Sequence, residues 1–374
     1  MAGLYLHIPF CKQMCGYCDF HRSVKMRLLP SVVEQMHAEL EAEQGFLHDR
    51  QLRTIYFGGG TPSLLAPDVI QGFIDHASRL FDCSKVEEIT VEVNPDDVTD
   101  DWVAALRHTG VNRVSMGIQS FDEEALRFMG RRHTATEAVE AVRRLQRAGY
   151  DNLSIDIIFG IDGFGGERLQ KTLDTAISLD VQHISAYHLT IEENTRFGRM
   201  LSRGEIGVVD EECSEREFAA VHTALTQAGF DHYEVSNYAL PSRRSRHNSS
   251  YWTGAEYLGI GPGAHSFAGD VRRWCEQSVE EYIAAVEYGE ERLSVTDRLN
   301  ECVMTSLRRA EGLSLNEIER IGGVEARERI EHLAAEALRS GNLVRHETDG
   351  EVRLQIPPEK FLISDAVIST LFEA

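Results

Sequence analysis

The feature that most constrains the fold is a sixfold alternation of short apolar runs with longer amphipathic segments in the first half of the chain. Strand-like runs occupy 4–8, 54–57, 88–93, 113–117, 153–159 and 183–189, and helical periodicity follows over 30–46, 67–80, 135–148 and 168–179. This pattern is typical of βα units around a parallel sheet. Because crossovers between parallel strands are right-handed, it predicts an α/β fold built on a partial (β/α)6 barrel.

The repeat weakens after residue 189, and 374 residues exceed what one hydrophobic core comfortably holds. The next segments predict a helix over 211–228 and an irregular glycine-rich stretch over 254–269. Helices over 297–310, 315–321 and 325–340 precede two strands, 343–346 and 352–356, that flank an Asp349-Gly350 turn. We therefore predict a core over 1–292 and a winged-helix-like C-terminal domain over 293–374.

Charge and hydropathy limit the partners and the location. The 38 basic and 60 acidic residues give a net charge of −22, which disfavours binding to nucleic acid and to anionic membrane surfaces. No run of about 18 uninterrupted apolar residues is present, so we predict no integral membrane segment. The first residues lack the features of a secretory signal, and we predict a cytoplasmic protein.

Polar residues follow all six predicted strands. Strand two ends in Gly58-Gly59-Gly60-Thr61-Pro62, strand three carries Glu92, strand four ends near Gln119, strand five holds Asp156, and strand six ends in Tyr187-His188. In a parallel barrel these carboxyl ends form the functional face. The pattern predicts one polar cavity there, with ordinary loop polarity as the alternative.

The first strand leads into three cysteines, Cys11, Cys15 and Cys18, spaced CxxxCxxC. Three thiolates in a tight loop can hold an iron–sulfur cluster that keeps one iron open for another ligand. A structural zinc completed by His21, or a set of unligated thiols, are the alternatives. The other four cysteines are interpreted as incidental thiols: Cys83, Cys213, Cys275 and Cys302.

The CxxxCxxC loop followed by the Gly-Gly-Gly-Thr-Pro run resembles the radical S-adenosylmethionine (SAM) superfamily. The segment Tyr5-Leu6-His7-Ile8-Pro9-Phe10-Cys11 and the strand-end motifs resemble the branch that contains oxygen-independent coproporphyrinogen III oxidase (HemN) and the heme chaperone HemW. The resemblance implies a [4Fe–4S] cluster that binds SAM and reduces it to a 5′-deoxyadenosyl radical. It implies that Cys11, Cys15 and Cys18 hold the cluster, and that SAM is contacted by Tyr5, Gly59, Gly60, Thr61, Glu92, Gln119, Arg131 and Asp156.

Two further positions bear on the function within that branch. The oxidase carries a fourth cysteine two residues after its third, where this chain has Phe20. The segment His247-Asn248-Ser249-Ser250-Tyr251-Trp252 resembles an HNxxYW motif associated with heme binding in the chaperones, which implies heme contacts by His247, Tyr251 and Trp252. The arginines at 243, 244 and 246 are suited to heme propionates. From the residues alone, a loop cap with core aromatics and solvated arginines is an equal alternative.

We therefore predict a radical SAM protein that binds heme and transfers it to acceptor proteins. Coproporphyrinogen III oxidase activity, with a porphyrinogen as the substrate, is the enzymatic alternative, and the residue at position 20 argues against it. A zinc-stabilised binding module is the second alternative.

Overall fold

The computed structural model describes residues 2–348 and 350–372 of the chain. All six predicted strands are present and lie side by side, in sequence order and parallel, in one large sheet. Each predicted run lies inside or within one residue of its strand. The strands are β1 (Ala2–Ile8), β2 (Leu52–Gly59), β3 (Glu88–Val93), β4 (Arg113–Gln119), β5 (Leu153–Phe159) and β6 (His183–His188).

Helices connect these strands and cover one face of the sheet. In the second of them the buried residues Ile70, Phe73, Ile74 and Ala77 recur at helical spacing, so one stripe packs on the sheet. The fifth begins with a capping box between Thr134 and Glu137, which satisfies free amide groups of the first turn. The helices are α1 (Leu29–Ala42), α2 (Pro67–Leu80), α3 (Asp100–Leu106), α4 (Glu123–Met129), α5 (Ala135–Arg147) and α6 (Glu167–Ser178).

Five of the remaining helices and strands extend this arrangement beyond β6. Two short strands pair antiparallel with one another, and the second of them pairs antiparallel with β6 at one sheet edge. The predicted helix over 211–228 is confirmed. In chain order these elements are α7 (Arg196–Ser202), α8 (Glu211–Gln227), β7 (Asp231–Glu234), β8 (Asn237–Ala239) and α9 (Arg246–Tyr251).

The prediction of an irregular stretch over 254–269 is wrong. This segment contains β9 (Glu256–Ile260), which pairs parallel with β1, and β10 (His265–Ala268), which pairs antiparallel with β9. The glycines there permit close backbone contact: a Cβ on Gly259 would lie 2.0 Å from the His265 carbonyl oxygen. The sheet continues through β11 (Val271–Trp274) and β12 (Gly289–Arg292), with α10 (Val279–Ala284) between them.

The C-terminal part contains helices and a separate three-stranded sheet of order β13-β15-β14. The predicted helices 315–321 and 325–340 correspond to α12, which kinks at Gly323, and α13. Asp349 of the predicted turn lies outside the described residues. The boundary at 293 stays a prediction, between the end of β12 and the start of α11. The elements are α11 (Val295–Leu307), β13 (Leu313–Ser314), α12 (Leu315–Leu333), α13 (Ala335–Arg339), β14 (Val344–Thr348), β15 (Glu351–Gln355) and α14 (Ser364–Ser369).

One hydrophobic core joins the two parts. Buried residues of the large sheet and of the C-terminal helices belong to the same packed cluster, and the Phe361 ring lies edge-on against His232 with their centroids 5.0 Å apart. No helix within the described ranges 2–348 and 350–372 is both long enough and apolar enough to cross a bilayer.

Candidate active site

A cavity of about 380 Å³ opens at the carboxyl ends of the six parallel strands. It brings together residues that are distant in sequence, as the strand-end pattern predicts. Ten of the eleven residues expected to bind the cluster or SAM line it, and Tyr5 lines a second, lower chamber instead. The ten are Cys11, Cys15, Cys18, Gly59, Gly60, Thr61, Glu92, Gln119, Arg131 and Asp156.

The cysteine loop is held in place by backbone hydrogen bonds. The Cys11 amide donates to the Ser23 carbonyl at 3.0 Å, and the Gly16 amide donates to the Met129 carbonyl at 2.9 Å. Gly16 also packs against Phe197, whose ring a Cβ at this position would approach to 2.4 Å. These contacts direct the loop toward the cavity, with all three cysteines partly exposed.

Polar groups surround the three sulfurs. The Thr61 hydroxyl donates to the Cys11 Sγ at 3.5 Å, and the Arg131 Nη1 donates to the Cys15 Sγ at 3.4 Å. Burial raises the pKa of the Cys11 and Cys18 thiols, while the positive charge of Arg22 acts in the opposite direction on both. The thiolate forms are therefore favoured only when a further positive centre, such as a bound metal, offsets the cost of burying their negative charge.

The three cysteines line the cavity without forming a group that could hold a single metal ion. Within residues 2–348 and 350–372, no three His, Cys, Asp or Glu side chains are grouped so that they could hold a single metal ion. A structural zinc needs four ligands at about 2.0–2.3 Å from one centre, whereas a [4Fe–4S] cluster spreads its thiolates over separate irons. His21, the fourth ligand of the zinc alternative, does not line the cavity and lies beside His7, with ring centroids 6.4 Å apart.

The glycine run packs tightly against the start of the cysteine loop. A Cβ on Gly60 would lie 2.6 Å from the Phe10 carbonyl oxygen, and Gly59 has a φ of 106°. The Gly60 amide donates to the Ile8 carbonyl at 2.8 Å. Glycine is therefore required here by the chain's own backbone, besides any close approach of a ligand.

Two buried carboxyl groups face the cavity from β3 and β5. Glu92 accepts hydrogen bonds from the Tyr56 hydroxyl at 2.7 Å and the Gly59 amide at 3.2 Å. Burial raises the pKa of Glu92 to about 7 and that of Asp156 to about 6. A bound positive charge or hydrogen-bond donor would therefore stabilise the carboxylate form of both groups.

Arg131 supplies the positive charge at the same level. It donates to the Asn94 side-chain oxygen at 2.7 Å and to the Gly117 carbonyl. Gln119, with a φ of 75°, lies at a bulge in the pairing of β4 with β5. A strained non-glycine backbone of this kind is common at ligand sites. The cavity thus presents carboxylates, an arginine and thiols together.

Comparison with known proteins identifies the family of this chain. Residues 5–176 match the model of the Radical SAM superfamily. The chain is 33% identical to the heme chaperone HemW of Mycobacterium tuberculosis over 99% of its own length and 94% of that protein. It is 38% identical to the heme chaperone HemW of Escherichia coli over 70% of this chain and 69% of that protein. The chain belongs to the HemW family.

A solved structure supports the fold of this HemW family member. The coproporphyrinogen III oxidase HemN of Escherichia coli, a radical SAM enzyme, superposes with a TM-score of 0.81 at 21% identity, covering 99% of this chain and 89% of that one. The predicted α/β fold is thereby confirmed. Membership in the radical SAM superfamily implies a [4Fe–4S] cluster and SAM, and the donor set of the cavity fits both.

A second chamber of about 230 Å³ lies inside the barrel and shares Glu92 and Asp156 with the cavity above it. Barrel interiors are usually filled with branched apolar residues, but here the inward positions are polar. On β4, for example, Arg113 and Ser115 line the chamber while Val114 and Met116 are buried in the core. The sequence analysis missed this chamber, although period-two alternation of polar residues within the strands could have revealed it.

His247 and Tyr251 line this lower chamber and not the upper cavity. The His247 side chain is 0% exposed, its Nδ1 is 2.7 Å from the Thr54 hydroxyl, and its Nε2 is 2.8 Å from the Tyr251 hydroxyl. Burial lowers the pKa of His247 to about 3, so the ring is neutral. Both ring nitrogens have partners, and a heme iron would have to displace one of them.

Trp252 and the arginines near the predicted heme motif lie outside this chamber, whereas Asn248 lines it. Trp252 lines neither chamber. The arginines at 243, 244 and 246 do not form an unpaired basic patch, because each pairs with an acidic residue. Their partners are Asp151, Glu311 and Glu87 respectively.

Two exposed aromatic residues line the upper cavity. Phe20 and Tyr187 have 61% and 42% of their surface exposed there, and Met14, in the cysteine loop but outside the cavity lining, is 49% exposed. Arg22 also lines it and donates to the backbone carbonyls of Cys18 and Phe20. A flat apolar molecule with an acidic group therefore finds complementary chemistry at this part of the cavity, which we call the rim.

Proposed function

We propose that this chain is a heme chaperone of the HemW type, which binds heme and passes it to acceptor proteins. The observation that carries the proposal is the pair of exposed aromatic residues that line the upper cavity, Phe20 and Tyr187. Large apolar side chains grouped at a cavity mouth are typical of a ligand surface. A tetrapyrrole has a flat face of matching character, and the relatives named as heme chaperones support the same assignment.

Arg22 is proposed to anchor a heme propionate at this rim. Its guanidinium donates to backbone carbonyls, and its buried Nε has no hydrogen-bond partner among the described residues. An arginine–carboxylate pair of this type is charge-assisted and can be bidentate. Heme would then lie above the cysteine loop. His247 would support the barrel interior and would not ligate the iron.

The cofactors are assigned to the upper cavity. We propose that Cys11, Cys15 and Cys18 each bind one iron of a [4Fe–4S] cluster, which would supply one-electron reduction to bound SAM. The proposed SAM contacts pair Glu92 with the ammonium group, Arg131 with the carboxylate and Asp156 with the ribose hydroxyls. Tyr5, Gly59, Gly60, Thr61 and Gln119 complete the proposed site. The free thiols of the chain are consistent with a reducing compartment, and we propose a cytoplasmic location.

Heme titration of the reconstituted full chain tests the rim. Phe20→Ser is expected to weaken heme binding about tenfold, because one partly buried aromatic contact contributes about 1.5 kcal/mol. Phe372→Ser is the matched control, since Phe372 is 39% exposed and lies outside the cavity. Equal heme affinities in the two variants would contradict binding at this rim.

A turnover assay separates the chaperone from the oxidase alternative. The reconstituted chain is incubated with coproporphyrinogen III, SAM and a reductant, and the products are analysed. We expect no protoporphyrinogen, since Phe20 occupies the position of the fourth cysteine. Robust protoporphyrinogen formation would overturn the chaperone proposal. Transfer of bound heme to an apo-cytochrome is the positive result.

A further inference from the structure

The barrel interior holds a positive charge that lacks a direct partner. Arg113 begins β4, is 1% exposed and lines the lower chamber. Its Nε and Nη1 have no hydrogen-bond partner within the described part of the chain. A buried cation is costly without a compensating negative charge, so its position needs a physical reason.

Two candidates for that compensation line the same chamber on the neighbouring strands. A third buried carboxyl, Glu88 of β3, already accepts hydrogen bonds from the Arg246 and His247 amides. Glu92 of β3 pairs in register with Ser115, two residues beyond Arg113, and Asp156 of β5 pairs with Gly117, four residues beyond it. Both carboxyls therefore lie above the guanidinium, at the level where the lower chamber meets the upper cavity. The positive charge of Arg113 opposes the effect of burial on the pKa of both carboxyls.

We propose that Arg113 is a positioning residue for SAM binding, acting from the lower chamber as the counter-charge that favours the ionised forms of Glu92 and Asp156 beneath the cofactor. The proposal rests on the SAM site proposed above. It assigns a role to a residue that does not line the upper cavity, and it explains why the barrel interior is polar. Water in the chamber would satisfy the free N–H groups of the guanidinium.

Glu234 of β7 is a further carboxyl near this group, and burial raises its pKa. The remaining titratable groups around Glu92 and Asp156 are neutral, with one exception. Burial raises the pKa of the surrounding tyrosines and lowers that of His247 and His183, so none of these carries charge near neutral pH. The exception is Arg131, which faces the upper cavity and the thiol of Cys15. Arg113 is therefore the counter-charge on the chamber side. The tyrosines are Tyr5, Tyr56, Tyr251 and Tyr187, the last of which lines both the chamber and the upper cavity, where 42% of its surface is exposed.

Equilibrium binding of SAM to the reconstituted full chain, measured between about pH 6 and pH 9, tests this role. Arg113→Met removes the charge, so Glu92 stays protonated to a higher pH. Each unit by which its pKa rises weakens SAM binding up to about tenfold near pH 7. We expect the loss to fade toward pH 9, where Glu92 ionises without help. Arg113→Lys should retain most of the affinity.

Controls separate charge from folding. Arg113→Gln is a second neutral variant whose amide can hydrogen-bond in the chamber, and Arg147→Met removes a 64% exposed arginine on α5. An unchanged affinity and pH profile in both neutral variants, or a loss that is equal at every pH, would overturn the role of Arg113. If Glu92→Gln binds SAM as tightly as the parent, the proposed SAM site itself is wrong, which is a distinguishable result.

Discussion

Replacing His247 by alanine tests whether this residue supports the barrel or ligates heme. The imidazole is fully buried at the base of the lower chamber, where its two nitrogens contact Thr54 and Tyr251. Its ring also stacks on Tyr56, with centroids 4.9 Å apart and planes 24° apart. Because the ring is neutral, it donates from one nitrogen and accepts at the other.

The cost of the substitution follows from these contacts. Each hydrogen bond contributes about 1 kcal/mol, and removing a large buried side chain costs about 2–5 kcal/mol through lost contacts and the space left behind. Water in the polar chamber can satisfy the two freed hydroxyls. We therefore expect His247→Ala to lose about 3–4 kcal/mol of unfolding free energy. Tyr251→Phe removes one of the two hydrogen bonds and should cost about 1 kcal/mol.

Urea unfolding of the parent and both variants measures these differences, and heme titration is performed on the same samples. A structural role predicts a large stability loss in His247→Ala and an unchanged heme absorption spectrum in the fraction that remains folded. A structural role is refuted if His247→Ala loses less than about 1 kcal/mol of unfolding free energy while its heme absorption spectrum changes. That result would return His247 to the role of a heme ligand.

Two further substitutions test the upper cavity by urea unfolding of the cofactor-free chain. Burial raises the pKa of Glu92 from 4.5 to about 7. Between these two pH values the folded chain keeps a proton on Glu92 that the unfolded chain has released. The unfolding free energy of the parent therefore falls as the pH rises from about 4.5 to about 7. In Glu92→Gln this pH-dependent loss of unfolding free energy should be smaller by up to about 3 kcal/mol. If the unfolding free energies of the parent and the variant changed in parallel with pH, the burial of Glu92 would be contradicted. Gly60→Ala should cost about 1–3 kcal/mol, because its Cβ meets the Phe10 backbone at 2.6 Å. Gly72→Ala in α2 is the matched control, because a Cβ at this position meets nothing within 4 Å. This variant should gain up to about 1 kcal/mol of unfolding free energy. Equal changes in the two glycine variants would contradict the close packing of Gly60.

The six βα units, the cysteine loop and the glycine run were all predictable from sequence, because each depends on local information. Strand and helix periodicities of 2.0 and 3.6 residues identify the units over short windows. The spacing of Cys11, Cys15 and Cys18 brings the thiols to one cavity through a single loop. Strand ends in a parallel barrel meet at one face, so Glu92 and Asp156 were placed together without knowledge of the packing.

Features that depend on contacts between distant segments required the tertiary structure. The strand β9 was hidden among glycines, and its place in the sheet depends on pairing such as Ala2 with Glu256. His247 resembles a ligand in sequence, but its nitrogens bond Thr54 and Tyr251 once α9 packs beneath β2. Arg113 reads as an ordinary strand residue until the curved sheet encloses it with two carboxyls. Sequence spacing reports which chemical groups a chain carries, whereas burial and partners arise only when remote segments pack together.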